Sequence, residues 1–277
     1  MATKKPAATP NNVPAKTKPQ GNTLPAAFDY GEHEGRGFEN QTRDDIAMPF
    51  VMVLQSGSPQ VAKKEVAGAM PGHIYNTVTQ ELLEKLTYVP CCTEHCYIEW
   101  VPRDAGGGFV AKHDINSPVV AKAKAEAKKF NKLRVGKHDL VETYSIFLVL
   151  VDDEGQPAGY AVMSFESTKI KVYKAANTRI QMFMLRAPDG TKKRPPMYAH
   201  LCQATTVQES NAKGTWYNLV LAPAKGSVMD SLLPLDHPVV AAGAELYDLV
   251  QSGIANPAYG TAARDDDGGG EDDDPPF

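Results

Sequence analysis

The sequence is poor in cysteine, with four in 277 residues. That is too few for a disulfide scaffold and points to a reducing compartment. It also lacks long apolar runs. The longest, residues 146–151 (IFLVLV), falls far short of the roughly 20 residues that cross a bilayer as a helix. Lys4 and Lys5 lead into Pro, Ala, Asn and Thr, not an apolar stretch, so no secretory leader is expected. The expected location is the cytoplasm, of a host cell if the chain is phage-encoded, without membrane contact. Familiar catalytic signatures are missing as well: there is no GxxxxGK[ST] phosphate loop, no GxGxxG, no HExxH and no GxSxG. His73, His113, His138 and His200 have no partner pattern, and Asp152-Asp153-Glu154 reads as a hairpin turn. The expectation is a protein that is not an enzyme and needs no cofactor.

Basic residues are absent from residues 265–277 (DDDGGGEDDDPPF), which hold seven acids. The formal net charge of −4 therefore hides a division. With residues 1–45 balanced, the body from 46 to 264 carries a surplus of three bases. A mildly basic body joined to an acidic tail suits nucleic-acid work or a charged interaction tail.

Residues 1–45 combine proline, glycine and mixed charge without apolar periodicity, which predicts a disordered or irregular arm. Residues 46–253 form the expected core, and 254–277 a flexible acidic tail for protein interaction. Within the core, β signals dominate. Residues 86–92 and 96–101 read as two strands around a tight connection, with 109–112 pairing beside the second. Ser117 and Pro118 open a predicted helix over 117–133. Residues 145–151 and 159–165 form a hairpin through 152–156, and a helix follows from Ser167 or Thr168 to about Leu185. Residues 197–207 and 215–221 form a last hairpin, and 238–250 a closing helix. The fold class is mainly β with helices (α+β). A helix between the third and fourth strands matches an OB-fold-like five-stranded barrel, with the 117–133 helix as an insertion and 46–80 as an extension.

The last residues, Glu271 through Asp274 and then Pro275-Pro276-Phe277, set one aromatic behind an acidic run. Phe277 suits an apolar pocket, while its carboxylate and Asp272, Asp273 and Asp274 suit surrounding Lys and Arg. Pro276 limits the conformations lost on docking. In this the chain resembles single-stranded-DNA-binding proteins of the bacterial type, and especially those of tailed phages. An aliphatic residue commonly precedes the final Pro-Phe in those tails, and Pro275 stands there instead. The resemblance implies a barrel, binding without catalysis, and recruitment of replication and recombination enzymes (polymerase, helicase-primase, nuclease) through the tail.

Holding a single strand takes cations for phosphates and aromatic faces for bases. Two stretches, 112–137 and 169–194, each hold eight cations against at most two acids. From the first come Lys112, Lys122, Lys128, Lys129, Lys132 and Arg134. From the second come Lys169, Lys171, Lys174 and Arg179. Alternation along the strands nominates Tyr97, Tyr198 and Trp216 as an outward stacking face, with Arg103 and the Gly106–Gly108 tip closing over the strand. For any single lysine of the 117–133 helix, a solvated helix face is the better account. Cys91, Cys92, His95 and Cys96, with Cys202 as a distant fourth, are the candidate zinc ligands, but no clean CxxC pair supports them. Two other functions stay open: a virion-associated or host-takeover interaction protein, and a metal-dependent nucleic-acid enzyme. Homo-oligomer formation is also left open.

Overall fold

The computed structural model describes residues 36, 37, 39, 40, 48–127, 132–212, 214–255, 257 and 259. The chain divides into two units, Met1–Gln41 and Thr42–Phe277. In the first, the described residues form a short turn. The expected arm and tail lie mostly outside the described residues.

The second unit begins with β1 (Val51–Val53), a single-turn α1 (Pro59–Ala62), β2 (Ile74–Asn76) and β3 (Leu82–Leu83), which make a small antiparallel sheet. Next comes β4 (Lys85–Trp100), one continuous strand of 16 residues where two strands and a turn were expected. The residues between the expected strands, Thr93-Glu94-His95, contain no glycine, proline or asparagine to bend the chain, so the ladder runs through. Its ladder with β7 is irregular at a register shift between Pro90 and Cys92, where proline has no N–H to give, and its ladder with β5 at a second shift between Glu99 and Trp100. β5 (Phe109–Asp114) follows, then α2 (Pro118–Glu126). Ser117 caps α2 as expected, its side chain accepting from the Val120 N–H at 3.3 Å. The helix ends at Ala127 rather than near Leu133, having buried only Val120 and Ala123.

β6 (Arg134–Val135), β7 (His138–Val151) and β8 (Pro157–Glu166) come next. The turn between β7 and β8 closes as expected: the Asp152 carboxylate accepts from the Gln156 N–H at 2.7 Å, and Gly155 takes φ +78°. A short 3-10 turn leads into α3 (Ile170–Gln181). β9 (Leu185–Arg186) and β10 (Lys192–Lys193) form a small hairpin. β11 (Cys202–Asn211) and β12 (Gly214–Pro223) form the last hairpin. β11 starts five residues later than expected, because Pro195 and Pro196 lead into a 3-10 turn over Met197–Ala199. α4 (Pro238–Gln251) closes the unit.

The main sheet is antiparallel and hangs on β4. One edge of β4 pairs with β11 over residues 85–88 and with β5 over 96–100, while β7 takes the other edge. β8 and β6 then pair with β7. The order β11-β4-β7-β8, with β12 outside β11, is a Greek key in which the fourth strand returns beside the first.

The two faces of this sheet bury different layers. Leu86, Tyr88, Ile146, Leu148, Ala161, Met163, Ala204, Leu219 and Leu221 pack with Val51, Val53, Ile74 and Tyr173 of α3. On the opposite face Val89, Cys91, Cys92, Phe147, Val149 and Val162 pack with Val239 and Leu246 of α4. Gly243 lets α4 approach closely, since a Cβ there would lie 2.6 Å from Tyr198 Cβ. Tyr259, assigned from sequence to the flexible tail, instead packs against Phe50 and Phe109.

Residues 49–55 touch both free edges of the sheet. The Val162 N–H of β8 donates to Pro49 O at 2.9 Å. Gln55, which is buried, pairs its amide with the backbone of Tyr217 on β12, donating to its C=O and accepting from its N–H, both at 2.8 Å. The side chain thus does the work of a neighbouring strand residue. Replacing it in Gln55→Leu leaves a part-buried N–H and C=O of Tyr217 unpaired. We expect a loss of about 2–4 kcal/mol and a Tm drop of roughly 5–15 °C in thermal unfolding followed by circular dichroism.

Candidate nucleic-acid interface

Past the register shift, β4 and β7 set His95 opposite Tyr144, Tyr97 opposite Glu142 and Glu99 opposite Leu140. Directly opposed residues share a face, so these side chains form one strip, in which Tyr97, Glu99 and Leu140 are buried and His95, Tyr144 and Glu142 are partly open. His95 stacks on Tyr144 with centroids 4.0 Å apart and planes 11° from parallel. Tyr173 of α3 extends the row at 4.8 Å from Tyr144. Glu142 anchors the stack: its carboxylate accepts from His95 Nε2 at 2.8 Å and weakly from the Tyr144 hydroxyl at 3.4 Å. Burial, with Glu142 alongside, pushes the Tyr144 hydroxyl pKa up, so it stays a neutral donor.

Each helix hangs a cation over this strip. Lys124 of α2 places Nζ 4.7 Å from the Tyr97 ring centroid, and Lys174 of α3 places Nζ 5.5 Å from that of Tyr144. Both lie within cation–π range. The two lysines come from the two basic stretches, fifty residues apart in sequence, and meet on one face because β4 and β7 are neighbours. Side chains here are partly open: His95 is 32% exposed and Glu142 40%.

The expected stacking face of Tyr97, Tyr198 and Trp216 does not form. Tyr97 is buried under α2, packed with Val120, Ala123 and Leu140. Trp216 is buried too, its indole N–H donating to Glu209 at 3.1 Å, because the β11–β12 hairpin folds that carboxylate over it. Tyr198 lies in the 3-10 turn before β11 and packs toward Tyr247 of α4. His95 and Tyr144 are the aromatic pair that the sequence reading missed. Alternation would have found His95 two residues from Tyr97, had β4 not been cut there.

Among the cations, Lys171 and Lys174 are exposed on α3, while Lys169 is buried and off the surface. Arg179 donates to the Leu221 C=O at 3.1 Å, fastening α3 to β12. Lys112 pairs with Glu94 at 2.7 Å, Lys122 with Glu126 at 3.8 Å, and Arg134 with Asp139 at 3.5 Å. Lys132 is exposed. Arg103 stands in a 3-10 turn, but its side chain lies outside the described residues, as do Lys128 and Lys129. Asp272, Asp273, Asp274, Pro276 and Phe277 lie outside them as well.

The candidate zinc ligands are not gathered. The bulge brings Cys91 and Cys92 into the same α4-covered layer, Cys96 packs with Ile98 and Trp100, and His95 is engaged by Glu142 on the opposite face. Among the described residues no group of three metal-ligating side chains is found. Burial pushes the thiols of Cys92, Cys96 and Cys202 up to about 12, which keeps them protonated.

Glu99, also buried, bridges two histidines. One oxygen meets His113 Nε2 of β5 at 2.7 Å, the other His138 Nδ1 of β7 at 2.6 Å. Burial works to raise the Glu99 pKa, but the hydrogen bonds from His138 and His113 outweigh it and hold it below 4.5. A depressed folded-state value contributes stability above the unfolded pKa, and this is lost as pH falls through the folded value. In Glu99→Gln we therefore expect a loss of about 1–3 kcal/mol at pH 7 and a shallower fall of Tm below pH 4.5, read from thermal melts across the acid range.

Among the described residues no helix is long and apolar enough to cross a membrane. No curated protein and no solved structure matches the chain. The family described as Pam3 phage gp34-like protein matches residues 17–256, a span that takes in both helices of the strip, all of the sheet and α4. With most of its length inside that match, the chain belongs to the Pam3 phage gp34-like family.

Proposed function

We propose that this protein binds single-stranded DNA, without catalysis of its own, and covers exposed strands during phage replication and recombination. The observation that carries the reading is the strip itself. His95, held flat by Tyr144 and partly open, offers a ring, and Lys124 and Lys174 offer cations on the same surface. Bases stack on such rings whatever their identity, while phosphates take the cations, so binding is tolerant of sequence and sensitive to salt.

The topology supports an OB-like barrel. β4, β7, β8, β11 and β12 supply five strands in Greek-key order, α3 falls between the third and fourth, and β5-α2-β6 is inserted between the first and second. Barrels of that kind often bind on the face of their second and third strands. Here α4 covers that face at Phe147, Val149 and Val162, so the strand would lie instead past the core layer, where His95 and Tyr144 are partly open between α2 and α3. We further assign the acidic residues 271–274 and Phe277 to recruitment of replication and recombination enzymes, by the chemistry of a charged run ending in an aromatic.

Fluorescence anisotropy with labelled oligo-dT at about 50 and 200 mM salt tests this. Binding is expected at the lower salt and should weaken steeply at the higher. His95→Ala combined with Tyr144→Ala should cut affinity about 10- to 100-fold, since stacking supplies about 1–3 kcal/mol per base. Absence of binding at low salt, or a preference for duplex, would sink the proposal.

A further inference from the structure

At the far end of α3 from Lys174 stands the β9–β10 hairpin. It is only two residue pairs long, too short to be stable by its ladder alone. Its register sets Arg186 directly opposite Lys192, and Leu185 opposite Lys193. Like charges facing each other across a sheet destabilise it. The turn carries the hairpin instead. The Asp189 carboxylate accepts from the Thr191 N–H at 2.9 Å and its hydroxyl at 2.6 Å, and Gly190 takes φ +83°. Those bonds to Thr191 also hold Asp189 below the usual carboxylate range, so it remains ionised but is committed to the turn.

Arg186, Lys192, Lys193 and Arg194 are all exposed, and among the described residues none of the four pairs with a carboxylate. A turn this well tied, presenting an opposed pair of cations, is an arrangement whose repulsion is relieved when an anion with several charges settles between them. Lys171 and Lys174 lie on the exposed side of α3, and Gln181 ends the helix about 10 Å beyond Lys174. Residues 182–184 join the helix to the hairpin, so the hairpin stands on the order of 10–20 Å from Lys174, the span of roughly 3–6 nucleotides at the stacked spacing.

We infer that the β9–β10 hairpin, with Arg194, is a basic arm that grips the phosphodiester backbone of the same strand whose bases lie on His95 and Tyr144. The inference rests on the proposed single-strand function and adds to it a second contact and a minimum strand length.

The test is a triple variant, Lys192→Gln, Lys193→Gln and Arg194→Gln, titrated beside wild type with oligo-dT of about 4 and about 12 nucleotides across a salt series. With each phosphate contact contributing about 0.7 to the slope of log K against log salt, the variant should lose about 2 from that slope on the longer strand. Its affinity for the longer strand should fall at least 10-fold, its affinity for the shorter should stay within 2-fold, and its Tm should equal or exceed wild type. An unchanged slope on the longer strand, with wild type binding normally, overturns the arm and leaves strand binding intact. Equal losses on both lengths also overturn it, since they deny the separation between strip and arm. Wild type that binds neither strand overturns the arm and the proposed function together.

Discussion

The backbone ladder of β4 is the constraint on which the rest of the fold depends. Sixteen residues of one strand pair with β7 along nearly their whole length, and on the other edge with β11 first and β5 later. The irregularity at Pro90 to Cys92 in the ladder with β7 re-sets which residues face which way, because a strand alternates with a period of two and one extra residue inverts the pattern. Before it, Leu86 and Tyr88 face the core under α3; after it, His95, Tyr97 and Glu99 continue that same face outward. Without the bulge, Cys96, Ile98 and Trp100 would point where the strip now lies.

Covering one face decides what the other can do. α4 is the most apolar of the helices and seals Phe147, Val149 and Val162 with Val239 and Leu246, aided by the close approach at Gly243. The remaining side is shared by two helices that carry lysines and bury little: α2 contributes Val120 and Ala123, and α3 contributes Tyr173. Such helices sit at the rim of a core and leave their charged sides over the sheet. That is how Lys124 and Lys174 come to stand over tyrosine rings, instead of being scattered over solvent.

Charge is organised by the same logic. Carboxylates inside the body are engaged locally: Glu99 by two histidines, Glu142 by His95, Glu209 by Trp216 and Asn218, Asp189 by Thr191. Among the described residues, the exposed cations of α3 (Lys171 and Lys174) and of the small hairpin pair with no carboxylate. The net charge of −4 describes neither that surface nor the acidic residues 265–277.

Much of the local structure was legible in the sequence because its causes are local. Ser117-Pro118 opens a helix, residues 152–156 turn a hairpin, residues 238–250 mark the closing helix, and the two basic stretches are visible as composition. The position of α3 between two hairpins was legible too. What the sequence could not give was facing and proximity. Alternation assumes an uninterrupted strand, so an unrecognised bulge and a strand cut at His95 hid the aromatic pair, while Trp216 was turned inward by Glu209 of the partner strand. By itself the sequence determined a β-rich body, its turns and its segregated charge. Only the tertiary structure decided which rings are open and that Lys124 and Lys174 share a face, because both depend on pairings between residues some fifty positions apart.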